Sequence, residues 1–130
     1  MEIRIKDANG QTNLSIEIMD KEPNDEWLIC LANFHYDGFE ARFKFSTMLG
    51  DFCTFSDQLG TFYSILRGQA EFRSIEDNVS FKLSTDGLGH VDISGYLRHN
   101  KYEVQISFLI HSDQTFLPEL INECKQICSR

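Results

Sequence analysis

From Phe39 to Leu49 the side chains alternate: one parity carries Phe39, Ala41, Phe43, Phe45, Thr47 and Leu49, the other Glu40, Arg42, Lys44, Ser46 and Met48. Successive side chains of a β-strand point to opposite faces, so this pattern predicts a strand with one dry and one wet face. Asp37 and Gly38, just before it, suit the positive φ angles of a two-residue hairpin turn, so the preceding segment should pair with it antiparallel. That segment, Trp27 to Tyr36, is apolar on both parities, with Trp27, Ile29 and Leu31 on one and Leu28, Cys30, Ala32 and Phe34 on the other. A strand of this kind belongs in the middle of a sheet, covered on both faces. The chain must therefore build its first half around a sheet.

The rest of that half agrees. Asn9 and Gly10 supply a turn after the alternating Met1 to Lys6, and Leu14, Ile16 and Ile18 open the next period-2 segment. Asp20 to Glu26 is polar, contains Pro23, and reads as a loop that continues no strand. The period then changes. Phe55, Leu59, Phe62, Tyr63 and Leu66 fall at i, i+4, i+7, i+8 and i+11, one face of a helix of about three turns. Thr54 with Asp57 provides a first-turn cap and Gly68 a stop, and the helix should lie on the dry face of the preceding strand. Gly60, inside it, costs about 1 kcal/mol relative to Ala, which close packing at that point would explain.

After the helix the alternation returns in four segments: Ala70 to Glu76, Val79 to Leu83, Val91 to Leu97, and Tyr102 to Ile110. The chain ends on a second helical stripe, Leu117, Leu120, Ile121, Cys124 and Cys128, with Pro118 in the first turn. Every strand connection except the one carrying the first helix is too short for a parallel crossover. These readings combine into an α+β fold: a mostly antiparallel, curved, meander-like sheet of about eight strands, with one helix mid-chain and one at the C-terminus. No repeat, low-complexity run or linker divides the chain, so residues 1–130 read as a single globular domain with enough apolar bulk, eleven Phe included, for one core.

Charge narrows the partners. Lys and Arg number 12 against 20 Asp and Glu, a net charge of −8, which argues against nucleic acid and anionic membrane and favours a basic protein. The N-terminus lacks the layout of a signal peptide and no run of about 18 apolar residues occurs, so a cytoplasmic location is expected. In that setting Cys30, Cys53, Cys124 and Cys128 read as small core residues with free thiols.

The motifs of an enzyme are missing. Gly87 and Gly89 sit in a hairpin turn with no helix behind them, which is not a phosphate loop. Cys124 and Cys128 share a helical face with leucines and lack the partners of a zinc site, so no metal or cofactor is expected. His35, His90, His99 and His111 lie near strand ends, where exposure is ordinary, and Cys53 has no local signature of a nucleophile, so no catalytic residue is assigned. The densest charge feature is the loop with Asp20, Glu22, Asp25 and Glu26. It lacks the glycine and ligand alternation of a calcium loop. Its simpler reading is solvated loop charge; the functional one is a partner-facing acidic patch beside Trp27, because large aromatics often anchor interfaces. As far as Cys30 the chain holds seven acidic and three basic groups, half of the whole excess of −8.

The order of these features resembles a known family. The segment Leu14 to Ile18, the string Asp25, Glu26, Trp27, Leu28, the long strand leading to the helix Phe55 to Leu66 with Gly68 behind it, and the terminal Asp113, Gln114, Thr115, Phe116, Leu117, Pro118 together look like the WapI-like family of small bacterial proteins. Some of these are immunity proteins against the toxic tails of wall-associated contact-dependent toxins. The resemblance implies a non-enzymatic cytoplasmic binder that occupies a toxin's surface, and no catalytic residues carry over.

Two functional readings follow. In the first, an immunity-type protein occludes a toxin domain, for which the charge suggests a basic nuclease; Asp20, Glu22, Asp25, Glu26 and Trp27 are the first contacts and Asp37 and Glu40 the next. In the second, a small enzyme or ligand-binding domain has its site in the mouth of the sheet, which requires a pocket joining two of the four histidines to a carboxylate. A homodimer through an exposed strand edge is compatible with either.

Overall fold

Eight strands and two helices follow one another in the computed structural model, which describes residues 1–21, 26–99, 101 and 103–129. The first four strands are β1 (Glu2–Lys6), β2 (Thr12–Lys21), β3 (Trp27–Tyr36) and β4 (Phe39–Met48), and they lead into helix α1 (Leu49–Ile65). Then come β5 (Gln69–Arg73), β6 (Val79–Thr85), β7 (His90–His99) and β8 (Val104–Asp113), a 3-10 turn over Gln114–Phe116, and helix α2 (Leu117–Cys128). The α+β expectation holds, with every strand pair antiparallel.

The strands form two four-stranded meanders, β1-β2-β3-β4 and β5-β6-β7-β8. The division falls at α1, a helix of 17 residues. At the usual rise of an α-helix it carries the chain roughly 25 Å, too far for the next strand to continue the first ladder by a tight turn. The inner faces meet through Phe34 and Phe108, with ring centroids 5.2 Å apart, and through Phe43 and His99 at 5.1 Å. Both turn predictions hold. Gly10 donates its N–H to the Asp7 carbonyl at 2.9 Å. Asp37 and Gly38, both at positive φ, join Tyr36 directly to its partner Phe39.

Two boundaries move. β2 runs through Asp20 and Lys21, the start of the segment expected to be a loop, because a bulge between Ile18 and Asp20 lets the ladder continue opposite Ile29 and Leu28. Helix α1 begins at Leu49, before the apolar stripe at Phe55. Asp51, and not the expected Thr54, organises its first turn by accepting from the Met48 N–H at 3.0 Å and from the Thr47 hydroxyl. Leu49 continued the alternation of β4, so parity alone could not reveal the change of period there.

The helices cover edges. α1 packs on β5 and α2, not chiefly on β4 as expected, and α2 packs along β1. Each helix also lends the edge strand an acceptor: Gln58 Oε1 takes the Glu71 N–H at 2.8 Å and Glu123 Oε1 takes the Arg4 N–H at 2.9 Å. At Gly60 no close packing exists, since a Cβ there would meet nothing within 4 Å. Gly95 is the glycine that packing demands. It lies opposite Phe81, and a Cβ at that position would lie 2.7 Å from the Phe81 Cα and collide with the Ser80 carbonyl. Gly95→Ala should therefore destabilise the protein by about 1–3 kcal/mol, as overpacking against backbone does, measured by urea denaturation.

Candidate functional site

β3 lies between β2 and β4, and its two faces differ. Leu28, Cys30, Ala32 and Phe34 are buried in the core, whereas Trp27, Ile29 and Leu31 on the outer face are only half-buried, so the expected cover on both faces is incomplete. Cross-strand pairing places Met48 beside Trp27, Ser46 and Asp20 beside Ile29, and Lys44 and Glu17 beside Leu31. Glu17 in turn faces Glu2 on β1. Glu26 is exposed immediately before Trp27, and its carbonyl accepts the Leu49 N–H at 2.9 Å, which ties the start of β3 to the start of α1. Asp20, Glu26 and Trp27 therefore belong to one end of this sheet. Glu22 and Asp25 fall outside the described residues.

Asp37 and Glu40 do not join that group. They sit at the opposite end of β3, a strand of ten residues. At the usual rise of a strand that end is about 30 Å away. Asp37 is in the β3–β4 turn, and Glu40 is paired with His35, Oε1 to Nε2 at 3.6 Å. The seven sequence candidates thus divide between two ends of one sheet.

A groove of about 430 Å³ opens beside the second end, between Phe34, Tyr36 and Phe39 of the first sheet and Gln105 to Leu109 of β8. Sequence reasoning missed it. The alternation of β4 and that of β8 were each visible, but the approach of two segments so far apart in the chain was not.

No histidine lines that groove or the two shallow depressions along the helices. His35 is with Glu40 and His99 lies against the Phe43 ring. His90 Nδ1 is 2.7 Å from Asp86 Oδ2, a contact that raises the His90 pKa and, together with the Leu88 N–H, lowers that of Asp86. His111 Nδ1 is 2.8 Å from Asp92 Oδ1. Each of these pairs lies on an exposed face, and among the described residues no group of three or more His, Cys, Asp or Glu is placed to hold a metal.

The cysteines behave in two ways. Cys30 and Cys124 are buried free thiols, each pushed up to about 12 chiefly by burial, which makes them poor nucleophiles. Cys53 and Cys128 correct the expectation of four thiols: they form a disulfide between α1 and the last turn of α2, Cα to Cα 5.5 Å. Spacing along the chain could not show this, because the two cysteines have a sequence separation of 75.

A second contact of long range binds α2 to β1. Arg4 Nε donates to Glu123 Oε2 at 2.7 Å and an Arg4 terminal nitrogen to Glu119 at 3.0 Å, while Lys6 Nζ reaches the same Glu119 at 3.0 Å. Glu123 raises the Arg4 pKa through that hydrogen bond. Four charged side chains, which the sequence presented only as part of an overall charge balance, therefore serve to seat a helix.

These features define a class: a small α+β domain of two antiparallel meanders that presents an acidic and aromatic strand face and a separate apolar groove. The chain belongs to the WapI-like immunity protein family, whose model matches residues 4–130. No curated protein and no solved structure matches it. Membership in an immunity family implies a toxin as partner in general and a role that is generally non-enzymatic.

Proposed function

We propose that this protein is a cytoplasmic immunity protein that neutralises a toxin domain, of the basic nuclease kind, by occupying its nucleic-acid groove. The observation that carries the reading is the end of the first sheet that holds half-buried Trp27, exposed Glu26 immediately before it and exposed Asp20 opposite Ile29, on a chain with a net charge of −8. Acidic side chains mimic the sign of the phosphates that a nuclease groove attracts, and an adjacent aromatic ring supplies apolar contact area at low entropic cost. Asp37 and Glu40, at the far end of the sheet, extend the negative field rather than the same contact.

The purified protein, mixed with a toxin domain whose gene neighbours its own, should form a complex and abolish that domain's activity. Raising the salt from about 0.05 M to about 0.5 M should slow association, because screening shortens the reach of the field. Trp27→Ala should weaken the complex at least about 30-fold, the size of an interface hot spot, with the fold checked by circular dichroism. Absence of binding at low salt would overturn the reading.

A further inference from the structure

Four strand edges bound the two sheets, and they are treated differently. The edges of β1 and β5 are covered by α2 and α1. The edge of β4 carries Glu40, Arg42 and Lys44, charges of the kind that discourage pairing with another strand. From Val104 to Ser112, β8 contains no Asp, Glu, Lys, Arg, Pro or Gly. An edge stretch of this length without such protection is a template for a further strand.

The direction of its main-chain groups is legible. The His111 carbonyl turns away from β7 and accepts the Ala8 N–H at 2.8 Å, and Ser112 Oγ donates to the Lys6 carbonyl at 2.6 Å. The β7–β8 ladder runs without a register shift, so the two-residue period turns the N–H and C=O groups of Leu109, Ser107 and Gln105 to the same side as those of His111. The β1–β2 turn covers the edge at His111. Among the described residues, no backbone hydrogen bond from outside the sheet reaches 105–109. This is the stretch that lines the groove, opposite Tyr36 and Phe39, with Phe39 67% and Leu109 53% exposed.

We propose that the free edge of β8 at Gln105, Ser107 and Leu109 takes an extended basic segment of a partner protein as a ninth strand, its apolar side chains lodged against Phe34, Tyr36 and Phe39. Charge selects this occupant over a second copy of the chain. Asp37 lies in the turn between Tyr36 and Phe39, Lys101 and Glu103 offset each other before β8, Arg98, which donates to the Gln105 side chain at 2.8 Å, is paired with Asp77 at 2.9 Å, and a second copy would bring a net charge of −8 against −8. The open edge, residues 105–109, spans about 16 Å, enough for a segment of about five residues. The proposal rests on the binding role argued above but uses a different surface, so that Trp27 and this edge can be tested separately.

The probe is an acetylated nine-residue peptide alternating lysine and valine, titrated into the full chain and followed by backbone amide NMR. Shifts confined to 105–109 and to the β3–β4 turn are expected. N-methylation of alternate peptide amides, or glutamate in place of its lysines, should weaken binding at least about tenfold. Ser107→Pro should do the same without unfolding the sheet, because the N–H it removes points outward; Leu109→Lys is the alternative variant should the proline disturb β8. Absence of shifts at 105–109 would overturn the proposal, as would a dimer of this chain that Ser107→Pro dissolves. If the peptide fails while the toxin domain is still neutralised, the edge proposal falls and the immunity reading stands. If the peptide binds and the toxin domain does not, the reverse holds.

Discussion

Phe72→Ala should lower the unfolding free energy by about 3–5 kcal/mol, the cost of removing a buried aromatic ring and leaving a cavity. Phe72 is fully buried on β5, and three other rings surround it: Phe52 at 5.1 Å and Phe55 at 5.9 Å on α1, and Phe81 at 5.4 Å on β6. The ring therefore joins α1 to the second sheet, and the partners lost with it come from both. For a domain of this size the melting temperature should fall by roughly 10–20 °C, measured by calorimetry or circular dichroism. Phe39→Ala is the control. Its ring is largely exposed, at 67%. Removing such a surface side chain should shift stability by about 0.5 kcal/mol or less. A loss below about 1 kcal/mol for Phe72→Ala would show that α1 is not held to the sheet in this way.

Removing the Cys53–Cys128 cross-link should cost about 2–4 kcal/mol, because closing a long loop restricts the unfolded chain. The loop here is long, with a sequence separation of 75 between the two cysteines. The comparison is urea denaturation of the oxidised protein with that of Cys53→Ser, or of the wild type in reductant. Equal midpoints would mean that the restriction of the unfolded state is offset in the native one. A thiol titration distinguishes the forms: Cys30 and Cys124 should resist modification in the native oxidised protein and both react once it is unfolded. In the reducing cytoplasm proposed for this chain, the pair would be held as thiols and the stability would be that of the reduced form.

The strands were largely legible because their signal is local. Alternation from Phe39 onward, the Asp37–Gly38 turn and the terminal stripe ending at Cys128 each specify a backbone geometry within a few residues. The start of α1 was misplaced because Leu49 satisfied the strand parity and Asp51, the side chain that caps the helix, is one acidic residue among many. The candidate contacts divided for a similar reason. Asp20, Glu26 and Trp27 are near in sequence and near in space, whereas Asp37 and Glu40 flank the same strand pair at its other end.

By its local periods and turns, the sequence alone pointed to about eight mostly antiparallel strands, two helices and the wet and dry parity of the strand that begins at Phe39. Its composition determined the negative charge, and its motif order pointed to an immunity family. Only the tertiary structure decided that the strands divide into two sheets, that α1 and α2 seal the edges of β5 and β1, and that Cys53 meets Cys128. It also decided that β8 keeps an uncharged edge open beside Tyr36 and Phe39. The physical reason is range. A two- or 3.6-residue period is set by the backbone within one segment. The partners of Arg4 lie 115 and 119 residues away and are chosen by packing of the whole chain.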